Sequence, residues 1–110
     1  MDESAWAAVE KLVTWLDSND QGEAVDRTVL LRIMKISEEA GEVAAAVIGV
    51  TGQNPRKGVT HTWDDVRSEL CDVIITAMVA LRTLGADAPE VLRAKLDEVV
   101  ARSVGGIGGL

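Results

Sequence analysis

Apolar positions recur every three or four residues in four separate stretches of the chain. Nowhere do they alternate strictly for long enough to suggest a half-buried strand. The pattern predicts four helices. The first runs from about Ser4, its expected N-cap, to Asp17. Trp6, Val9, Val13 and Leu16 form one apolar stripe, and Ala5, Ala8, Leu12 and Trp15 form a second beside it. So wide an apolar arc predicts cover on two sides, with Trp6 and Trp15 as core or intersubunit contacts. Ser18 to Glu23, with Gly22, reads as a loop. The second helix starts near Asp26 and runs to about Val50, stopped at Gly49 or Gly52. Its seam is Val29, Ile33, Ile36, Ala40, Val43 and Val47.

Gly52, Asn54, Pro55 and Gly58 make Thr51 to His61 a loop. Thr62 then caps the third helix, with Asp65 three residues later in the place a capping box usually gives to Glu. The seam of that helix is Val66, Leu70, Val73, Ala77, Ala80 and Leu84, and Gly85 ends it. Asp87 caps the fourth helix, which carries Pro89 in its first turn. Leu92, Leu96, Val99 and Ser103 are its inward positions. The expected architecture is an all-α four-helix bundle over residues 1–104, followed by a flexible Gly-rich tail, 105–110.

Composition narrows the function classes. The chain has 110 residues, 47% of them hydrophobic, enough for one domain with a real core. It carries 18 acids against 11 bases, a net charge of −7. That balance argues against binding a nucleic acid polymer, which needs a basic face. The single cysteine, Cys71, excludes an internal disulfide and a cysteine zinc site and fits a reducing cytoplasm. It reads as a small buried side chain. MDESAW carries acid where a secretory signal carries positive charge, so a cytoplasmic location is expected. The uncharged run Val73 to Leu81 is far short of the ~20 residues a membrane span needs, so no membrane association is expected.

The candidate chemistry lies in a phrase that occurs twice. Helix two holds Glu38-Glu39-Ala40-Gly41-Glu42-Val43, and helix three holds Glu69-Leu70-Cys71-Asp72-Val73. In both, two acids three residues apart flank a seam residue on one helical face. Antiparallel packing would bring Glu39, Glu42, Glu69 and Asp72 to one edge of the seam. Clustered carboxylates repel one another unless a cation sits among them. Oxygen ligands without His or Cys favour magnesium, with manganese as a substitute. Without Glu38, Glu39, Glu42, Glu69 and Asp72 the net charge would be −2 rather than −7. The competing reading is a solvated acidic helix face. A di-iron carboxylate bundle needs Glu-x-x-His pairs, and the one histidine, His61, is in a loop.

Glu38-Glu39-x-x-Glu42, followed 27 residues later by Glu69-x-x-Asp72, resembles the signature of MazG-like all-α nucleoside triphosphate pyrophosphatases. The similarity spans about Leu30 to Arg102. It implies a helical bundle that assembles as a dimer or higher oligomer. It also implies hydrolysis of the α–β phosphoanhydride of NTPs or dNTPs to the monophosphate and pyrophosphate, with clearing of noncanonical nucleotides as a role. By position, Glu39, Glu42, Glu69 and Asp72 would ligate Mg2+, and Glu38 would orient or deprotonate the attacking water. Family members often carry Lys-x-x-x-Asn-x-x-Arg on the last helix, contacting phosphates. Here Lys95 and Arg102 match, and Val99 replaces the amide.

Arg56 and Lys57 form a dense basic spot in the loop before helix three, which reads either as a loop that closes over phosphates or as an ordinary solvated loop. Trp63, at the start of that helix, is a candidate for stacking on a base, although a Trp in that place is more often a packing staple. Two rivals remain. A phosphoribosyl-ATP pyrophosphatase resembles this motif and size, but usually follows its aspartate with a Leu-x-Tyr-His-like segment, where this chain has Val73-Ile74-Ile75-Thr76. A non-catalytic helical dimer, acting as an interaction module, would use the same seams for partner binding. A homodimer or homotetramer is expected in either case, because four helices of this length cannot hide all of helix one.

Overall fold

The computed structural model describes residues 1–20, 22 and 25–105. It is all-α, with four helices: α1 (Glu3–Ser18), α2 (Val25–Thr51), α3 (Trp63–Leu84) and α4 (Ala88–Val100). A π-helical turn, Ala101–Gly105, follows α4. There is no strand among the described residues, and no helix among them is long and apolar enough to cross a membrane. Residues 106–110 of the expected tail lie outside the described residues.

The helix ends follow from local chemistry. At α1 the cap is Asp2 rather than Ser4: its carboxylate accepts from the Ala5 N–H at 2.9 Å and from the Ser4 hydroxyl at 2.8 Å. Asp2 is the stronger acceptor, so Ser4 joins the first turn as a donor. At α3 the capping box forms in both directions: Asp65 N–H donates to Thr62 Oγ1 at 3.2 Å, and Thr62 N–H to Asp65 Oδ2 at 2.8 Å. Asp87 occupies the cap position of α4 but makes no side-chain cap bond. Gly49 does not stop α2; it is buried within it. The break comes at Gly52, whose φ of +65° is left-handed.

α2 and α3 are antiparallel partners and make the most extensive helix pair. Arg32 meets Thr83 at one end of this pair, and the backbone of Gly49 meets that of Thr60 at the other. α1 packs on α3, where Val9, Val13, Met78 and Val79 form the buried core with Trp6 and Leu16 beside them. Two polar ties lock that end. Arg82 forks onto both carboxylate oxygens of Glu10 at 2.6 and 2.9 Å. Arg32, its side chain only 12% exposed, donates to Asp17 at 2.8 Å and to Thr83 at 3.0 Å, joining α1, α2 and α3. α4 packs against α3.

The seams differ from expectation in a consistent way. In α2, Val29, Ile36 and Val43 are half-buried as expected, but Ile33, Ala40 and Val47 are exposed. Arg32, Glu39 and Ala46 lie at the positions that α3 covers instead. In α3, Val66 and Ala80 are buried as expected, while Leu70 and Leu84 are exposed and Met78 and Val79 are buried. In α4, Leu92 and Val99 are half-buried, but Leu96 and Ser103 are exposed. Cys71 is exposed, not buried, because neither of α3's packed faces includes that position. The result is an open chain. Its radius of gyration is 17.5 Å, against about 13 Å for a compact domain of this length.

Candidate metal centre

Antiparallel pairing of α2 and α3 sets the duplicated acidic phrases against each other. Glu39, Glu69 and Asp72 each offer a carboxylate oxygen, and these oxygens all lie within 4.8 Å of one another. Glu39 and Glu69 are half-buried and Asp72 is exposed, so the group opens to solvent on one side. Glu39 comes from the middle of α2, while Glu69 and Asp72 sit one turn apart on α3. A helix keeps such i,i+3 pairs on one face, and that places the three carboxylates together.

The electrostatics are those of crowded acids. The Glu69 carboxyl is pushed above its ordinary range, first by desolvation and then by Asp72, Glu42 and Glu39. Glu42 therefore contributes to the same negative field, although its oxygens fall outside the tight trio. One cation already answers it. Lys35, one turn before the phrase, bonds Glu38 at 3.0 Å and Glu39 at 3.2 Å. Those two carboxylates hold the Lys35 ammonium above its usual pKa. Glu38 is exposed and lies beside the trio rather than in it.

The donor set suits a small hard cation. An octahedral magnesium shell with bonds of about 2.1 Å puts opposite oxygens about 4.2 Å apart. Only one pair among three such ligands can be opposite; the other pairs stand about 3.0 Å apart, so three oxygens within 4.8 Å of one another would close on an ion by movements of up to about 1–2 Å, within the reach of rotamer changes.

The remaining candidate residues are more dispersed. Arg56 and Lys57 are exposed on the loop between α2 and α3, and neither has an ion-pair partner among the described residues. Trp63 is 59% exposed at the first position of α3. Lys95 and Arg102 both pair with Glu98, at 3.5 and 3.7 Å. Their ion pairs are thus within α4 and the turn after it, and neither pairs with a carboxylate of the trio.

His61 and Lys35 are the residues that the sequence pattern undervalued. His61 is half-buried and seats on Gly49, with its Nδ1 2.9 Å from Thr60 Oγ1. A glycine inside an otherwise regular helix was the available signal for such a close approach. Lys35, four residues before Glu39, was readable as an i,i+4 partner. No family model, curated protein or solved structure matches the chain.

Proposed function

We propose that this protein is a magnesium-dependent nucleoside triphosphate pyrophosphohydrolase, converting NTPs or dNTPs to the monophosphate and pyrophosphate. The observation that carries the reading is the convergence of Glu39, Glu69 and Asp72 from two helices. Glu39, Glu69 and Asp72 would hold Mg2+, with Glu42 as a further ligand from one turn along α2. The ion supplies charge neutralisation for a polyanionic substrate and lowers the pKa of bound water. Glu38, exposed beside the trio and paired with Lys35, would accept a proton from attacking water. Arg56 and Lys57 supply positive charge for phosphate oxygens. Lys95 and Arg102 would need the α4 of a second copy to contribute.

A homo-oligomer is part of the proposal. The chain exposes 7894 Å², against about 5900 Å² expected for a compact monomer of this mass. Leu30, Leu31, Ile33 and Met34 on α2, and Leu70 and Ile74 on α3, are all exposed. The excess area is of the size that a stable protein interface buries, and that favours a second copy on these faces.

The test is a pyrophosphate-release assay across NTPs and dNTPs with Mg2+, with phosphoribosyl-ATP as a separate substrate. Glu42→Gln and Asp72→Asn should abolish release while leaving the helical circular dichroism intact. Full activity in either variant refutes the reading. If no nucleotide is hydrolysed and millimolar Mg2+ with a nucleotide analogue fails to raise the melting temperature, the non-catalytic dimer stands instead. Light scattering should give at least twice the 11.7 kDa chain mass, and a stable monomer contradicts the oligomer.

A further inference from the structure

A cavity of about 220 Å³ lies between the last turns of α2 and the loop that leads into α3. Ile48 and Gly49 form its helical wall, and Asn54, Lys57, Thr60 and His61 line the loop side. None of its lining residues is acidic, although the chain has 18 acids. Most of the other Lys and Arg side chains are spent on carboxylates. Lys57 has no such partner among the described residues.

The polar lining is rich in donors. Lys57 brings an ammonium and Asn54 an amide NH2. The Asn54 oxygen is already used, accepting from the Arg56 N–H at 3.1 Å. Thr60 Oγ1 and His61 Nδ1 are 2.9 Å apart. When the hydroxyl donates in that bond, the imidazole keeps its proton on Nε2 and becomes a further donor. The loop is fixed to the helix by the Thr60 N–H, which donates to the Gly49 carbonyl at 2.9 Å, and closed on itself by the Gly58 N–H, which donates to the Asn54 carbonyl at 2.9 Å. The helical wall is apolar, and the loop side, with several donors, one unspent cation and no carboxylate, favours an oxyanion.

Its place along the groove adds the connection. Ala45 and Gly49 follow Glu42 by three and seven residues, about 4.5 and 10.5 Å along the helix axis. We propose that this cavity is a phosphate subsite, with Lys57 as its cation, that receives the terminal phosphate of the nucleotide held at the acidic trio. The assignment of that phosphate to a nucleotide rests on the hydrolase reading; the affinity of the cavity for a phosphate oxyanion does not.

The test uses the full chain labelled with 15N, titrated with inorganic pyrophosphate in the presence of Mg2+, with Mg2+ alone as the control. Pyrophosphate should shift the amides of Gly58 and Thr60, and Lys57→Met should weaken its binding about tenfold, the loss of one charge-assisted bond. Lys57→Arg should recover most of the binding. In the hydrolysis assay Lys57→Met should raise KM for the triphosphate with kcat little changed. Pyrophosphate shifts that depend on Lys57, without any nucleotide hydrolysis, support the subsite and remove the hydrolase. Hydrolysis with an unchanged KM in Lys57→Met, and no shift at Gly58 or Thr60, overturns the subsite and leaves the hydrolase standing. Shifts at Gly58 and Thr60 that Lys57→Met leaves unchanged also overturn it.

Discussion

Replacing Gly49 by alanine tests how the 52–62 loop is seated on α2. An ideal Cβ at Gly49 would lie 2.0 Å from His61 Nδ1 and 2.7 Å from Thr60 Oγ1. Neither atom is the free end of a flexible chain. The two residues are adjacent, share a hydrogen bond, and are anchored by the Thr60 N–H on the Gly49 carbonyl. Relief therefore requires the ring or the loop to move. Overpacking of this kind costs about 1–3 kcal/mol. So close an approach belongs in the upper part of that range, about 2–3 kcal/mol; alanine returns up to about 1 kcal/mol over glycine in a helix, so the net loss should be about 1–2 kcal/mol. Gly41, on the same helix, has nothing within 4 Å of its ideal Cβ. Gly41→Ala should therefore gain up to about 1 kcal/mol. Urea unfolding followed by circular dichroism separates the two. With a slope of about 2 kcal/mol/M, Gly49→Ala should lower the midpoint by about 0.5–1 M at unchanged slope, and Gly41→Ala should raise it. A Gly49→Ala midpoint at or above that of the parent, or equal damage from Gly41→Ala, refutes the reasoning.

Further outcomes follow from the same geometry. Thr62→Ala removes one half of the α3 capping box and should cost about 1 kcal/mol, read as a lower thermal midpoint. Asp65 is held below its ordinary pKa chiefly by the Thr62 backbone N–H. Its contribution to stability is present above the ordinary carboxylate value and is lost as pH falls through the lowered one, so Asp65→Asn should flatten the acid limb of the stability curve. Glu69 has the opposite sign: its raised pKa means the metal-free protein gains stability from this group as pH falls through the folded value toward the ordinary 4.5. Glu69→Gln should abolish that gain. Asp72→Asn should raise the melting temperature without metal by relieving repulsion, and abolish the further rise on adding Mg2+. A melting temperature that rises equally with Mg2+ in parent and variant would contradict the trio as the binding site.

What could be read from the chain was what depends on near neighbours. The capping box of Thr62 and Asp65, the stop after Leu84 and the core stripe of α1 are decided within a turn or two. The duplicated acidic phrase was legible for the same reason, and pairing of Glu39 with Glu69 and Asp72 needed only that consecutive helices pack antiparallel. The choice of face was not legible. α2 is apolar over so wide an arc that periodicity equally supports a seam through Ile33, Ala40 and Val47 or one through Val29, Ile36 and Val43. α3 takes the second, which carries Arg32 and Glu39 into the pairing. α3 in turn gives Met78 and Val79 to α1, a non-local partner that no window of sequence reports. The seating of His61 on Gly49 also joins residues 12 apart across a turn.

The Lys35 bridge to Glu38 and Glu39 bears on the order of assembly. A site whose negative charge is partly answered by a tethered ammonium does not require an ion for the helices to come together. Structural zinc modules show the contrary behaviour, collapsing when stripped. On the proposed reading, chelation should empty the groove and spare the scaffold, so that a sample stripped with EDTA regains the ion on dialysis into Mg2+ buffer, without a refolding step.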